Sequence, residues 1–136
     1  VRVGYAIGNK TLIKYLNDVK YSINSYTMNQ MALVAGVAAI EDDEYFKDTV
    51  THVINTRKWA SEEFVKLGFN VYESSTNFLF VSHKDKSAKE IFEYLKTKNI
   101  YVRFFNKERI NNCLRVTVGT DEQMEKLFSV LREYLQ

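Results

Sequence analysis

Cys113-Leu114-Arg115-Val116-Thr117-Val118-Gly119-Thr120-Asp121-Glu122-Gln123 reads as a strand that runs straight into a helix. Strand side chains alternate between faces, so Leu114, Val116 and Val118 share one face while Cys113, Arg115 and Thr117 share the other. Gly119 ends the alternation. Thr120, followed three residues later by Gln123, forms a capping box ahead of the apolar series Met124, Leu127, Phe128, Leu131 and Leu135 at helical spacing. The strand therefore carries Arg115 on the face opposite the core. A guanidinium fixed there suits a carboxylate or a phosphate, because it offers paired donors and keeps its charge. A solvated or salt-bridged arginine fits the same pattern.

Working outward, residues 69–72 and 76–81 have strand composition, and residues 100–105 predict a further strand that carries Arg103. Between them, Ser87 with Glu90 forms a second capping box ahead of Ala88, Ile91, Phe92 and Leu95. With the final strand and helix, these segments predict an α+β layer: a small, mostly antiparallel sheet with helices on one face. Arg115, and Arg103 with it, would then point away from the helices.

Upstream, residues 1–7 have strand character, Gly8-Asn9-Lys10 is a turn, and Leu12, Ile13, Leu16 and Val19 predict a short helix from Lys10 to about Lys20. Thr27 is expected to cap a second helix, whose Ala32, Ala35, Ala38 and Ala39 favour tight packing. Glu41-Asp42-Asp43-Glu44 places negative charge at the start of a long helix. That helix keeps one apolar face through Phe46, Val50, Val53, Ile54, Arg57, Ala60, Phe64 and Leu67, until Gly68 stops it. The expected division is residues 1–40 as the end of one domain and residues 41–136, with the long helix, as a second.

Composition narrows the function classes. The 136 residues are 46% hydrophobic and 14% aromatic, an ordinary globular balance, and no apolar run is long enough to span a bilayer. The 19 basic and 17 acidic residues, net +2, are spread along the chain, without the basic patch of a nucleic-acid binder. Cys113 is the single cysteine, which excludes an intramolecular disulfide; with no signal peptide in view, the expected compartment is cytoplasmic. His52 and His83 have no partners at metal-ligand spacing, so no metal is expected. Proline is absent, so helices can run long. The first residue is Val1 rather than methionine, which predicts a piece of a longer protein.

Taken together, Arg2-Val3-Gly4-Tyr5, Asn77-Phe78-Leu79-Phe80, Asn99-Ile100-Tyr101-Val102-Arg103 and Leu114-Arg115-Val116-Thr117-Val118-Gly119-Thr120 resemble the C-terminal part of the fold type I pyridoxal-phosphate aminotransferases. Within that family they look most like the enzymes acting on histidinol phosphate. The resemblance spans the whole chain and implies a C-terminal fragment of an α/β fold type I transferase: a long connecting helix plus a small domain. It further implies pyridoxal phosphate as cofactor, histidinol phosphate and glutamate or 2-oxoglutarate as substrates, histidine biosynthesis as the setting, and a homodimer.

By the same resemblance, Arg2 binds the cofactor's phosphate, Arg115 receives the substrate's anionic end, and Arg103 is its companion. For Arg103 a self-contained cation–π cluster with Tyr101, Phe104 and Phe105 is the competing role. The lysine that carries the cofactor as a Schiff base would lie upstream of Val1, so the fragment alone is expected to be inactive and to hold no catalytic residue. One departure concerns Ser25-Tyr26-Thr27-Met28-Asn29, where the family commonly has Pro-Tyr-Asn-Val-Asn. An aromatic-amino-acid aminotransferase or a threonine-phosphate decarboxylase of the same fold would carry similar motifs. A more distant alternative is an RNA- or ligand-binding α+β module using Tyr101, Phe104 and Phe105, though these lack the interleaved glycines of the RNA-recognition strand.

Overall fold

In the computed structural model, residues 3–136 are described, and the chain divides into two units, Val1–Lys47 and Asp48–Gln136. In the first unit, the expected opening strand falls partly on Val1 and Arg2, which lie outside the described residues. The rest of that segment forms no strand, because it has no ladder partner among the described residues. Helix α1 (Lys10–Ile23) starts at Asn9, whose Oδ1 accepts from Thr11 N at 2.9 Å, and runs longer than its apolar series predicts. Helix α2 (Gln30–Glu41) is capped by Asn29 rather than Thr27: Asn29 Oδ1 accepts from Ala32 N at 2.8 Å. Asparagine is the stronger cap, and it sits directly before the first turn. Neither helix holds a buried residue, and Leu16, Val19 and Ile40 are exposed.

Helix α3 (Asp43–Lys66) begins with the expected acid, and Asp42 Oδ1 accepts from Tyr45 N at 3.1 Å. It ends at Gly68, whose φ of +83° is the left-handed conformation that glycine adopts without strain. Thr56, Ala60 and Phe64 are its buried residues, whereas Phe46, Val50 and Ile54 remain exposed; the apolar face expected for the whole helix is covered only toward its C-terminal half.

The second unit holds a four-stranded antiparallel sheet in the order β1-β2-β4-β3, formed by β1 (Phe69–Tyr72), β2 (Phe78–His83), β3 (Arg103–Phe104) and β4 (Leu114–Thr117). Strand β2 starts two residues later than expected, because Ser74 and Thr76 bond to one another and to the Phe78 carbonyl in a side-chain-closed turn. Strand β3 is far shorter than residues 100–105. Its start is delayed by the end of α4 (Ala88–Thr97), where Asn99 takes a positive φ of 58° and Ile100 N returns to the Leu95 carbonyl at 2.9 Å. At the start of α4 only half of the expected capping box is present: Ser87 Oγ accepts from Glu90 N at 3.1 Å. The box ahead of α5 (Asp121–Leu135) is complete, and a Cβ at position 119 would strike the Gln123 amide that closes it.

The core lies between one face of the sheet and α3, α4 and α5. Leu79 and Val81 from β2, Leu114 and Val116 from β4, Ile91 and Leu95 from α4, and Met124, Leu127, Phe128 and Leu131 from α5 are all buried. Phe128 is the hub: its ring meets Phe64 edge-on at 4.9 Å and Trp59 at 5.4 Å. His83 ends β2. It is buried edge-on against Phe69; its Nε2–H donates to the Leu67 carbonyl at 3.1 Å, and its Nδ1 accepts from Asp85 N and Lys86 N.

An ion cluster fastens α3 to α5. The Glu63 carboxylate accepts from Lys66 Nζ at 2.7 Å and from the Arg132 guanidinium. The Lys66 and Arg132 hydrogen bonds hold the Glu63 carboxyl below the usual carboxylate range. A carboxyl with a lowered folded pKa stabilises the fold above its unfolded value, and that contribution disappears as pH falls through the folded value. Glu63→Gln should therefore lower the thermal midpoint at neutral pH, and the gap from the parent chain should shrink on acidification. Melting curves across the acid range check this; a gap independent of pH would contradict it.

Candidate functional site

The sheet face turned away from the helices is built by register. Tyr72 pairs with Phe80, Phe80 with Arg115, and Arg115 with Arg103, so four side chains form one row across all four strands. The alternation that buries Leu79 and Val81 necessarily puts Phe78 and Phe80 on this outer face with Arg115. Tyr72 lies 5.6 Å from Phe80, and Phe80 meets Phe105 edge-on at 6.2 Å. The arginines thus stand at the end of an aromatic wall.

Like charges on directly paired residues repel, and among the described residues neither arginine is matched by a carboxylate. Aromatic faces take that place. The Arg115 guanidinium carbon is 5.0 Å from the Phe78 ring centre and 5.9 Å from that of Phe105, and the Arg103 guanidinium carbon is 5.4 Å from Phe105. Arg115 is half-buried, and its Nε is fully covered with no hydrogen-bond partner among the described residues. A covered donor left without a partner is costly, and two neighbouring guanidinium groups together attract an anion.

Arg103 and Arg115 are thus brought together, whereas Arg2 lies outside the described residues. Phe105 belongs to the cluster expected around Arg103; Tyr101 is exposed, and Phe104 turns to the other face and stacks on Phe92 at 5.8 Å. The sequence reading missed Tyr72, Phe78 and Phe80 as site residues, although the alternation of Phe78 and Phe80 with Leu79 and Val81 was the available signal.

Lys98, bonded to Glu133 at 2.8 Å, and Lys66, bonded to Glu63, are both shifted upward by those carboxylates, the opposite of the lowered pKa a catalytic amine needs. Cys113 is buried. Burial pushes its thiol up, against a smaller opposing effect from the Tyr72 hydroxyl. Alkylation of Cys113 at mildly alkaline pH should proceed only after denaturant is added, as mass spectrometry would record; rapid modification of the native chain would contradict the burial.

Among the described residues, no helix is long and apolar enough to cross a membrane. The family model for aminotransferase class I and II matches residues 1–131. A histidinol-phosphate aminotransferase from Brachyspira hyodysenteriae is 51% identical over 125 residues, covering 92% of this chain and 35% of its own length. One from Clostridium beijerinckii is 48% identical over 132 residues, covering 97% of this chain and 37% of its own length. The chain therefore spans little more than a third of these relatives. The crystal structure of histidinol-phosphate aminotransferase from Sinorhizobium meliloti in complex with pyridoxal-5'-phosphate superposes with a TM-score of 0.79 at 24% identity, over 87% of this chain and 33% of that one, and shares the fold.

Proposed function

The chain belongs to the class I and II aminotransferase family, and on that premise we propose that it is the C-terminal part of a pyridoxal-phosphate enzyme of histidine biosynthesis. The reaction exchanges an amino group between L-histidinol phosphate and 2-oxoglutarate, giving imidazole acetol phosphate and L-glutamate. The observation that carries the proposal is the pair of register-matched arginines, without a carboxylate partner among the described residues, on one open sheet face. The names of the relatives at 51% and 48% identity point to the same substrate.

In this proposal Arg115 and Arg103 receive the substrate's anionic end: the phosphate of histidinol phosphate in one half-reaction, a carboxylate of glutamate in the other. Their forks orient the substrate, and the Tyr72, Phe80 and Phe105 wall limits water beside them. Arg2 is assigned to the cofactor's phosphate. The cofactor, when bound, supplies an electron sink for the charge left on the substrate's α carbon. Residues 1–40 are read as the end of the cofactor-binding domain and residues 41–136 as the small domain with its connecting helix. The full-length enzyme is placed in the cytoplasm as a homodimer.

The test compares amino transfer from L-histidinol phosphate with transfer from L-phenylalanine by the full-length protein, and by the 136-residue chain alone. Turnover by the full-length protein with the phosphate ester preferred, and none by the chain alone, is expected. Preference for phenylalanine would move the assignment to the aromatic-amino-acid enzymes, and turnover by the chain alone would overturn its reading as a catalytically incomplete part.

A further inference from the structure

Phe105 stands just beyond β3, half-buried, with its ring in contact with both guanidinium groups: 5.4 Å from the Arg103 carbon and 5.9 Å from the Arg115 carbon. Phe78 meets Arg115 but not Arg103, so Phe105 is the ring the two cations share. Packing fixes its attitude. Phe80 holds it edge-on at 6.2 Å, and Phe80 is itself backed by Tyr72 at 5.6 Å. The neighbouring ring, Phe104, goes the opposite way onto Phe92, so the alternation of residues 104 and 105 gives one ring to the core and the other to the arginines.

A carboxylate placed between two arginines would relieve their repulsion but occupy their N–H groups. An aromatic face relieves it through the ring quadrupole and leaves the donors of both forks free. We infer that Phe105 is the positioning residue of the two-arginine site, holding Arg103 and Arg115 so that both forks meet one phosphate group. The inference rests on the proposed role of these arginines. Its content is that one ring, itself making no contact with the anion, sets the affinity of the pair.

The test is calorimetric titration of inorganic phosphate into the cofactor-loaded full-length protein, with KM and kcat for L-histidinol phosphate measured alongside. Phe105→Leu should weaken phosphate about 10-fold, the order expected for losing a cation–π support shared by two groups. KM should carry the loss, with kcat nearly unchanged. Phe105→Tyr, which keeps the face, should stay within about 3-fold of the parent. Phe104→Leu is the structural control: it should lower the thermal midpoint and leave phosphate affinity intact. Should the leucine variant fail to fold, Phe105→Met, similar in length and without a π face, carries the same expectation. Unchanged phosphate affinity in a folded Phe105→Leu or Phe105→Met protein overturns the inference, as does a Phe105→Tyr protein as weak as the leucine variant. Arg115→Gln separates the two levels. If it abolishes phosphate binding while Phe105→Leu does not, only the role of Phe105 fails; if it has no effect, the anion site itself is wrong.

Discussion

Arg115→Gln in the full-length protein is expected to reduce kcat/KM for L-histidinol phosphate about 100-fold, with the fold intact. Charge-assisted hydrogen bonds contribute roughly 1.5–3 kcal/mol each, so losing a bidentate contact removes about 3 kcal/mol, equivalent to some two orders of magnitude. The glutamine keeps hydrogen-bonding capacity and approximate length but neither the charge nor the fork. Stability should change little, because among the described residues the covered Nε has no hydrogen-bond partner and the guanidinium rests on the Phe78 and Phe105 ring faces. Steady-state kinetics with a parallel melting curve checks both parts. A fall in kcat/KM of less than about 3-fold would remove Arg115 from the substrate's anionic end.

Phe128→Ala carries the largest expected effect on stability. The side chain is fully buried at 0% exposure and joins α5 to α3 through edge-on contacts with Phe64 and Trp59. Removing a buried aromatic ring costs about 3–5 kcal/mol through lost transfer energy and the cavity left behind. That is a large share of the ~5–15 kcal/mol by which small domains are stable. Denaturant unfolding of the protein should show the midpoint falling accordingly. A loss below about 1 kcal/mol would mean that the core between α3 and α5 re-packs and that Phe128 is not its hub.

Elements specified by local chemistry were legible in the sequence. The box at Thr120 and Gln123 is complete, Gly68 takes the left-handed turn that ends α3, and the alternation of residues 114–117 places Arg115 opposite the core. Where several local solutions competed, the boundaries moved. Asn29 displaced Thr27 as a cap, and the Ser74–Thr76 turn delayed β2. The α4 exit through Asn99 left only Arg103–Phe104 in the ladder.

The candidate site was legible only in part, for a physical reason. Arg115 and Arg103 stand out singly in the sequence, but their pairing is a register property: Phe80 and Arg103 reach Arg115 from two other strands, and Phe105 reaches both arginines from beyond the shortest strand. Contacts set by long-range strand order carry no signature in a local window. The exposed apolar residues of α1 and α2 show the converse, since amphipathic spacing predicts a helix without saying what lies against it.

The most direct test of the account is the ratio of kcat/KM for L-histidinol phosphate to that for L-histidinol, which lacks the phosphate, in the full-length cofactor-loaded protein. If Arg103 and Arg115 receive that phosphate, the ester should be preferred by at least about 100-fold, as expected when a doubly charged group loses two guanidinium partners. Equal use of the two substrates would contradict the account, since the two arginines on the open sheet face would then have no part in recognising the substrate.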